Sequence, residues 1–115
     1  MSTEHLFAPV AIGSLTLPHR GIMPPMVVNL CDLDGSVTDR FIAYHVARAR
    51  GGVALNITEA AYVHRSGRDF PRQLGIDHDG LLPGLTRLTE AVHAAVGRIA
   101  VQLFHPGREG NPAEG

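Results

Sequence analysis

"GIMPPMVVNL", Gly21 to Leu30, begins like a buried strand and meets two prolines before its apolar run is over. Proline has no N–H to give to a sheet ladder, so a central strand cannot run on through Pro24 and Pro25. "GIMPP" therefore reads as a strand cut off at Pro24, while the chain stays apolar as it leaves the sheet. Upstream, "PVAIGSLTLPHR" holds two short β-rich pieces about Gly13 and Ser14, the pattern of a small hairpin.

Downstream, the pattern becomes regular. Thr38 is a good N-cap for "DRFIAYHVARARGG", where Ile42, Val46 and Ala49 share a helical face and Gly51 and Gly52 supply the stop. "GVALNITEA" follows as a continuous apolar strand ending at Glu59. A polar loop through Gly67 and Gly80 leads to a second helix, on which Leu81, Leu85, Leu88, Val92 and Ala95 recur at helical spacing. Asp79 is its expected N-cap and Gly97 its expected stop. "RIAVQLF" is a third strand, followed by "HPGREGNPAEG". Strands that alternate with helices imply a parallel α/β sheet with right-handed crossovers. Both an open doubly wound sheet and a TIM barrel fit.

Composition narrows the function classes. The chain has 115 residues, 44% of them hydrophobic, and a net charge of -1, which describes one folded unit with no bias toward nucleic acid or membrane partners. Cys31 is the single cysteine, so no intrachain disulfide forms; it reads as a small loop or core residue. The start "MSTEH" lacks a secretory profile and no apolar run approaches a membrane span, so a cytoplasmic protein is expected. The seven histidines are scattered without metal-ligand spacing, and no metal is expected. His45, His64, His78 and His93 read as solvated.

In either parallel architecture the ligand site lies at the C-terminal ends of the strands. Those ends read "PPMV", "TEAAYV" and "QLFHPGR": small or apolar residues that let a flat ligand approach the backbone, plus one amide, Gln102. Neither "GxGxxG" nor "GxxxxGK[ST]" is present, so no phosphate cradle is indicated on the first turn. A planar heterocycle with hydrogen-bonding edges suits these residues.

Four segments in order and spacing, "LFAPVAIGSLTLPHRGIMPPM", "DGSVTDRFIAYHVARARGG", "ITEAAYVHRSGR" and "VQLFHPGRE", resemble the N-terminal part of the Old Yellow Enzyme family of NADH:flavin oxidoreductases. The nearest flavour is the 2,4-dienoyl-CoA reductase and trimethylamine dehydrogenase-like branch. The resemblance implies the first three β/α units of a TIM (β/α)8 barrel over residues 1–115, incomplete in this chain, with a short hairpin capping the barrel's N-terminal face. It also implies non-covalent FMN, with NAD(P)H as the reductant of the complete enzyme. Carried over residue by residue, it puts Pro25, Met26 and Val27 against the isoalloxazine ring, Ala60 by the pyrimidine side, and Gln102 in hydrogen bonding to the pyrimidine edge, where an amide offers a donor and an acceptor together. His105 and Arg108 belong to the "HPGR" loop nearby and receive no role.

The departures matter as well. Some relatives carry a cysteine or threonine at the Val27 position, and valine cannot hydrogen-bond to tune the flavin. The family's substrate-binding pair, its tyrosine acid and its late phosphate-binding loops have no counterpart here. The family reaction is hydride transfer from reduced FMN to the activated C=C of an enone or enoyl thioester, and this chain is expected to lack that activity alone. Three strands leave one inner face bare and two edges unpaired, so self-association or a complementing C-terminal chain is expected. The alternatives are a non-catalytic remnant or interaction module that associates through its sheet edges, and an open α/β fold completing itself as a dimer around another planar ligand.

Overall fold

The computed structural model describes residues 3–114. A short helix α1 (Glu4–Phe7) leads into an antiparallel hairpin of β1 (Val10–Ile12) and β2 (Leu15–Leu17). Gly13 turns the hairpin with φ +58°, a conformation that glycine adopts without a Cβ penalty. The main sheet is parallel, in the order β3 (Ile22–Met23), β4 (Leu55–Tyr62), β5 (Ile99–Phe104), with α2 (Asp39–Arg50) and α3 (Leu82–Ala94) as crossovers. Three strands adjacent in chain order give the progression of a barrel. Among the described residues the sheet does not close.

β3 stops at Met23, where Pro24 and Pro25 withdraw the next two N–H donors, as the sequence requires. β4 runs three residues beyond the expected end at Glu59, to Tyr62. Helix α2 starts where Thr38 caps it, its side chain accepting the N–H of Phe41. The tight conformation at its other end belongs to Gly52, at φ +96°.

The main core lies between the two helices and the outer face of the sheet, where Phe41, Ala49, Ala61, Leu74, Leu88 and Val92 are buried together. The buried row of α2 is Phe41, His45 and Ala49, spaced i, i+4 and i+8; Ile42 packs only partly and Val46 is half-buried. His45 is therefore not solvated. Its ring meets Phe41 edge-on at 4.9 Å between centroids, and its Nδ1 lies 3.2 Å from Oδ1 of the buried Asn56 on β4. Burial holds its pKa below the usual imidazole value, so the ring is buried neutral. His64, His78 and His93 are exposed. A second cluster, Leu17 on Ala54 and Leu55, seats the hairpin beneath the starting ends of the strands. His19 Nε2 lies 2.7 Å from the Gly52 carbonyl oxygen and reinforces that contact.

Two expected signals of α3 act differently. Asp79 does not cap it: Asp79–Leu81 forms a 3₁₀ turn that runs into α3, and Pro83 in the first turn lacks only a donor that would have no partner there. Gly97 is not the stop either. The left-handed residue is Val96, at φ +60° and 85% exposed. Gly97 is small because a Cβ there would stand 2.6 Å from Cβ of Ala49 and 2.9 Å from Cγ1 of Val92, wedging the two helices apart.

A β-branched residue in the left-handed region carries a steric cost of about 1–2 kcal/mol, which asparagine largely escapes. Val96→Asn removes little packing and raises stability by about 1 kcal/mol, seen as a higher urea midpoint with an unchanged slope. An unchanged or lower midpoint contradicts the assigned backbone conformation.

Candidate functional site

The C-terminal ends of β3, β4 and β5 meet on one rim. Ala60 and Gln102 are register partners across β4 and β5, so two of the expected residues stand side by side. Pro25, Met26 and Val27 lie on the segment that leaves β3; Met26 is 60% exposed, and Pro25 and Val27 are half-buried. Ala60 is buried, while Gln102 is exposed and its amide makes no hydrogen bond within the described chain.

Ala60 and Gln102 share a face because of an irregularity that the sequence does not announce. Between the pairs Ile57↔Ala100 and Ala60↔Gln102, β4 advances three residues and β5 two. One extra residue in a strand reverses the facing of everything after it. Before this bulge, Asn56 points outward to His45 and Ile57 inward to the hairpin cluster. After it, Ala61 takes the outward place in the main core, and Ala60 turns inward beside Gln102.

Two buried polar side chains hold this rim, and both were passed over in the sequence. Glu59, 1% exposed, sits at the bulge; Oε1 accepts the Val28 N–H at 3.2 Å and Oε2 accepts the Leu74 N–H at 2.9 Å. Burial raises its pKa above the ordinary carboxylate value, and the two N–H groups pull it back down. Gln73, fully buried, donates from Nε2 to the Ala60 carbonyl at 2.7 Å and accepts the N–H groups of Asp69 and Phe70 at Oε1. The available signal was a lone acid closing an apolar strand, since such a group is buried only with partners.

The "HPGR" loop is tied to the loop after β4. Gly107 N–H donates to His105 Nδ1 at 2.9 Å, so the neutral ring carries its proton on Nε2, which lies 3.0 Å from Ser66 Oγ. The Ser66 hydroxyl in turn meets His64 Nδ1 at 2.8 Å. His105 thus links the two loops, and a Cβ on Gly67 would strike its ring at 2.6 Å. Arg108 is exposed, and its ion pair among the described residues is with Glu109, at 3.6 Å. Cys31 is buried, and its thiol is pushed far up by burial and then by the charges of Glu59, Asp32 and Asp34, so it is no thiolate. Among the described residues no three of His, Cys, Asp and Glu come together around a metal-sized space. No helix among them is long and apolar enough to cross a membrane.

The family model described as the NADH:flavin oxidoreductase / NADH oxidase family matches residues 5–115. The chain belongs to this family. Members of the family are FMN-dependent NAD(P)H oxidoreductases. The chain is 44% identical over 109 residues to an NADH oxidase of Thermoanaerobacter brockii, covering 94% of this chain and 17% of the oxidase. Its fold superposes on 2-naphthoyl-CoA reductase in complex with 2-naphthoyl-CoA with a TM-score of 0.92 at 33% identity, covering 98% of this chain and 17% of the reductase. Old Yellow Enzyme from Pichia sp. AKU4542 matches with a TM-score of 0.88 at 28% identity, over 94% of this chain and 28% of that enzyme. The chain therefore spans less than a third of the length of these relatives, and it is an α/β portion of the Old Yellow Enzyme TIM barrel.

Gln73→Ala strands one buried carbonyl and two backbone N–H groups, each costing about 1–3 kcal/mol where water cannot reach it. The expected loss is about 2–4 kcal/mol in urea unfolding, with the Asp69 and Phe70 amides exchanging fastest among those affected. A loss below about 0.5 kcal/mol, the level of an ordinary surface substitution, contradicts the pinning role.

Proposed function

We propose that this chain supplies one side of the FMN site of an ene-reductase or dienoyl-CoA reductase-like NAD(P)H oxidoreductase, and that it is inactive alone. The observation that carries the reading is the rim itself. A small residue, Ala60, and an amide with no partner among the described residues, Gln102, stand in register on the inner face, beside a segment whose prolines offer no N–H. A planar ring with hydrogen-bonding edges fits that surface, because the amide presents a donor and an acceptor to it and the small side chain permits contact. Pro25, Met26 and Val27 would pack on the ring, Ala60 would lie by its pyrimidine side, and Gln102 would bond the pyrimidine edge. When bound and reduced by NAD(P)H, FMN supplies hydride to the activated C=C of an enone or enoyl thioester; the protein supplies orientation and electrostatics. The setting is the cytoplasm.

Residues 1–115 form the first part of the FMN-binding barrel domain on this reading, completed by further β/α units on a longer or complementing chain. An apolar groove of about 390 Å³ runs along the outside between α3 and β5, lined by Ile76, Leu82, Leu85, Leu88, Ile99 and Val101. A barrel places the next helix there. The same groove, together with the free edge of β5 and Leu103 at 63% exposure, favours a second reading, a non-catalytic module that associates through its sheet edges.

Titrating the purified 115-residue chain with FMN, with its solution mass recorded, tests the reading. Saturable binding is expected, and Gln102→Ala weakens it by about tenfold, near the ~1.4 kcal/mol worth of one or two hydrogen bonds, with unchanged circular dichroism. Self-association without any flavin binding favours the second reading.

A further inference from the structure

We propose that Glu59 is a positioning residue: its carboxylate holds the segment leaving β3 and the loop after β4 in one arrangement, and so sets the backbone of Pro25, Met26 and Val27 beside Ala60. The proposal rests on the reading of this rim as a flavin surface. Its basis is the division of labour between the two oxygens. Oε1 takes the N–H of Val28, 31 positions earlier, immediately after the expected ring-contacting residues; Oε2 takes the N–H of Leu74, 15 positions later. No other side chain joins the segment after β3 to the loop after β4 by hydrogen bonds to the backbone of both among the bonds formed around this rim.

Stability alone does not account for the group. A buried carboxylate is costly, and an apolar side chain of its size packs at less cost. None of the ion pairs formed among the described residues involves Glu59. The charge is spent on backbone N–H groups, and what two such bonds fix is where the backbone runs. The bulge gives Glu59 this place, since it interrupts the alternation between Ile57 and Ala60 and leaves the side chain in the interior between the two loops. Val28, which carries the bonded amide, and Leu30 just past it pack against the main core, and Ile22 and Met23 before it pair with β4, so the clamp acts on a short stretch anchored at both ends. Glutamine is not equivalent, because its amide accepts through one oxygen and turns an N–H toward the second loop. The titratable group facing the carboxylate is the buried thiol of Cys31.

The test uses the full chain labelled with nitrogen-15, as wild type, Glu59→Gln and Glu59→Asp. In the wild type the amide proton shifts of Val28 and Leu74 move together with pH, at a midpoint above the ordinary carboxylate value of 4.5. Glu59→Gln speeds exchange of those two amides at least tenfold while the β1–β2 hairpin and the interior of α2 keep theirs, and it weakens FMN binding at least tenfold. Glu59→Asp, one methylene shorter, retains the charge and frees one of the two amides. Should Glu59→Gln unfold, the wild-type titration and the aspartate variant decide. The proposal is overturned if the two amides do not follow the carboxyl group, if the variants leave their exchange unchanged, or if FMN affinity survives the loosened loops. Loosening of both amides in a chain whose wild type binds no FMN overturns the flavin reading and supports the clamp.

Discussion

One buried carboxylate and one buried amide decide where the rim of this sheet stands. Parallel strands present their C-terminal ends as loops, and loops hold position only as well as their backbone polar groups are satisfied. Here Glu59 and Gln73 supply acceptors and a donor from inside the protein, to Val28, Leu74, Asp69, Phe70 and Ala60. The side chains of Pro25, Met26, Val27, Ala60 and Gln102 contribute none of these bonds. The surface is built by side chains that lie behind it.

The division between the two faces of the sheet follows from the same economy. The outer face is covered over β4: α2 and α3 bury Phe41, Leu88 and Val92 against it, and His45 pairs with Asn56, although His45 Nε2 and Asn56 Nδ2 are buried without a partner among the described residues. The inner face is open, with Ile22 at 40% exposure, and so is the outer side of β5, where the groove beside α3 and Leu103 at 63% exposure lie uncovered. A barrel fills its interior in layers drawn from strands all round the ring, so three strands cannot complete a layer. The chain belongs to the flavin oxidoreductase family and spans 17% of the length of the NADH oxidase and of 2-naphthoyl-CoA reductase.

Most of the architecture was legible because it rests on local chemistry. Prolines without donors stop β3, Thr38 opens α2, and apolar runs between helices define β4 and β5. Where the reading went astray, tertiary contact had overridden a local rule. Gly97 resembles a helix stop but is small to let α3 approach Ala49, and Asp79 resembles a cap but is absorbed into a 3₁₀ turn. His45 resembles a surface histidine until Asn56 is seen opposite it. The bulge was invisible for a deeper reason: it is a property of two strands in register, and no single strand carries its mark. The strand ends and Gln102 stand out in the residues and the remaining site expectations come from resemblance, whereas the bonds of Glu59 and Gln73 exist only once the loops are folded.

On the proposed function, the ends of β3, β4 and β5 together form a surface for the flavin ring. The most direct measurement is a map of amide shift changes as FMN is added to the nitrogen-15-labelled chain. Changes concentrated on Met26, Val27, Ala60 and Gln102 are expected, with the hairpin and the outer faces of α2 and α3 unmoved. Changes confined to the outer groove between α3 and β5, or none at saturating flavin, would contradict it.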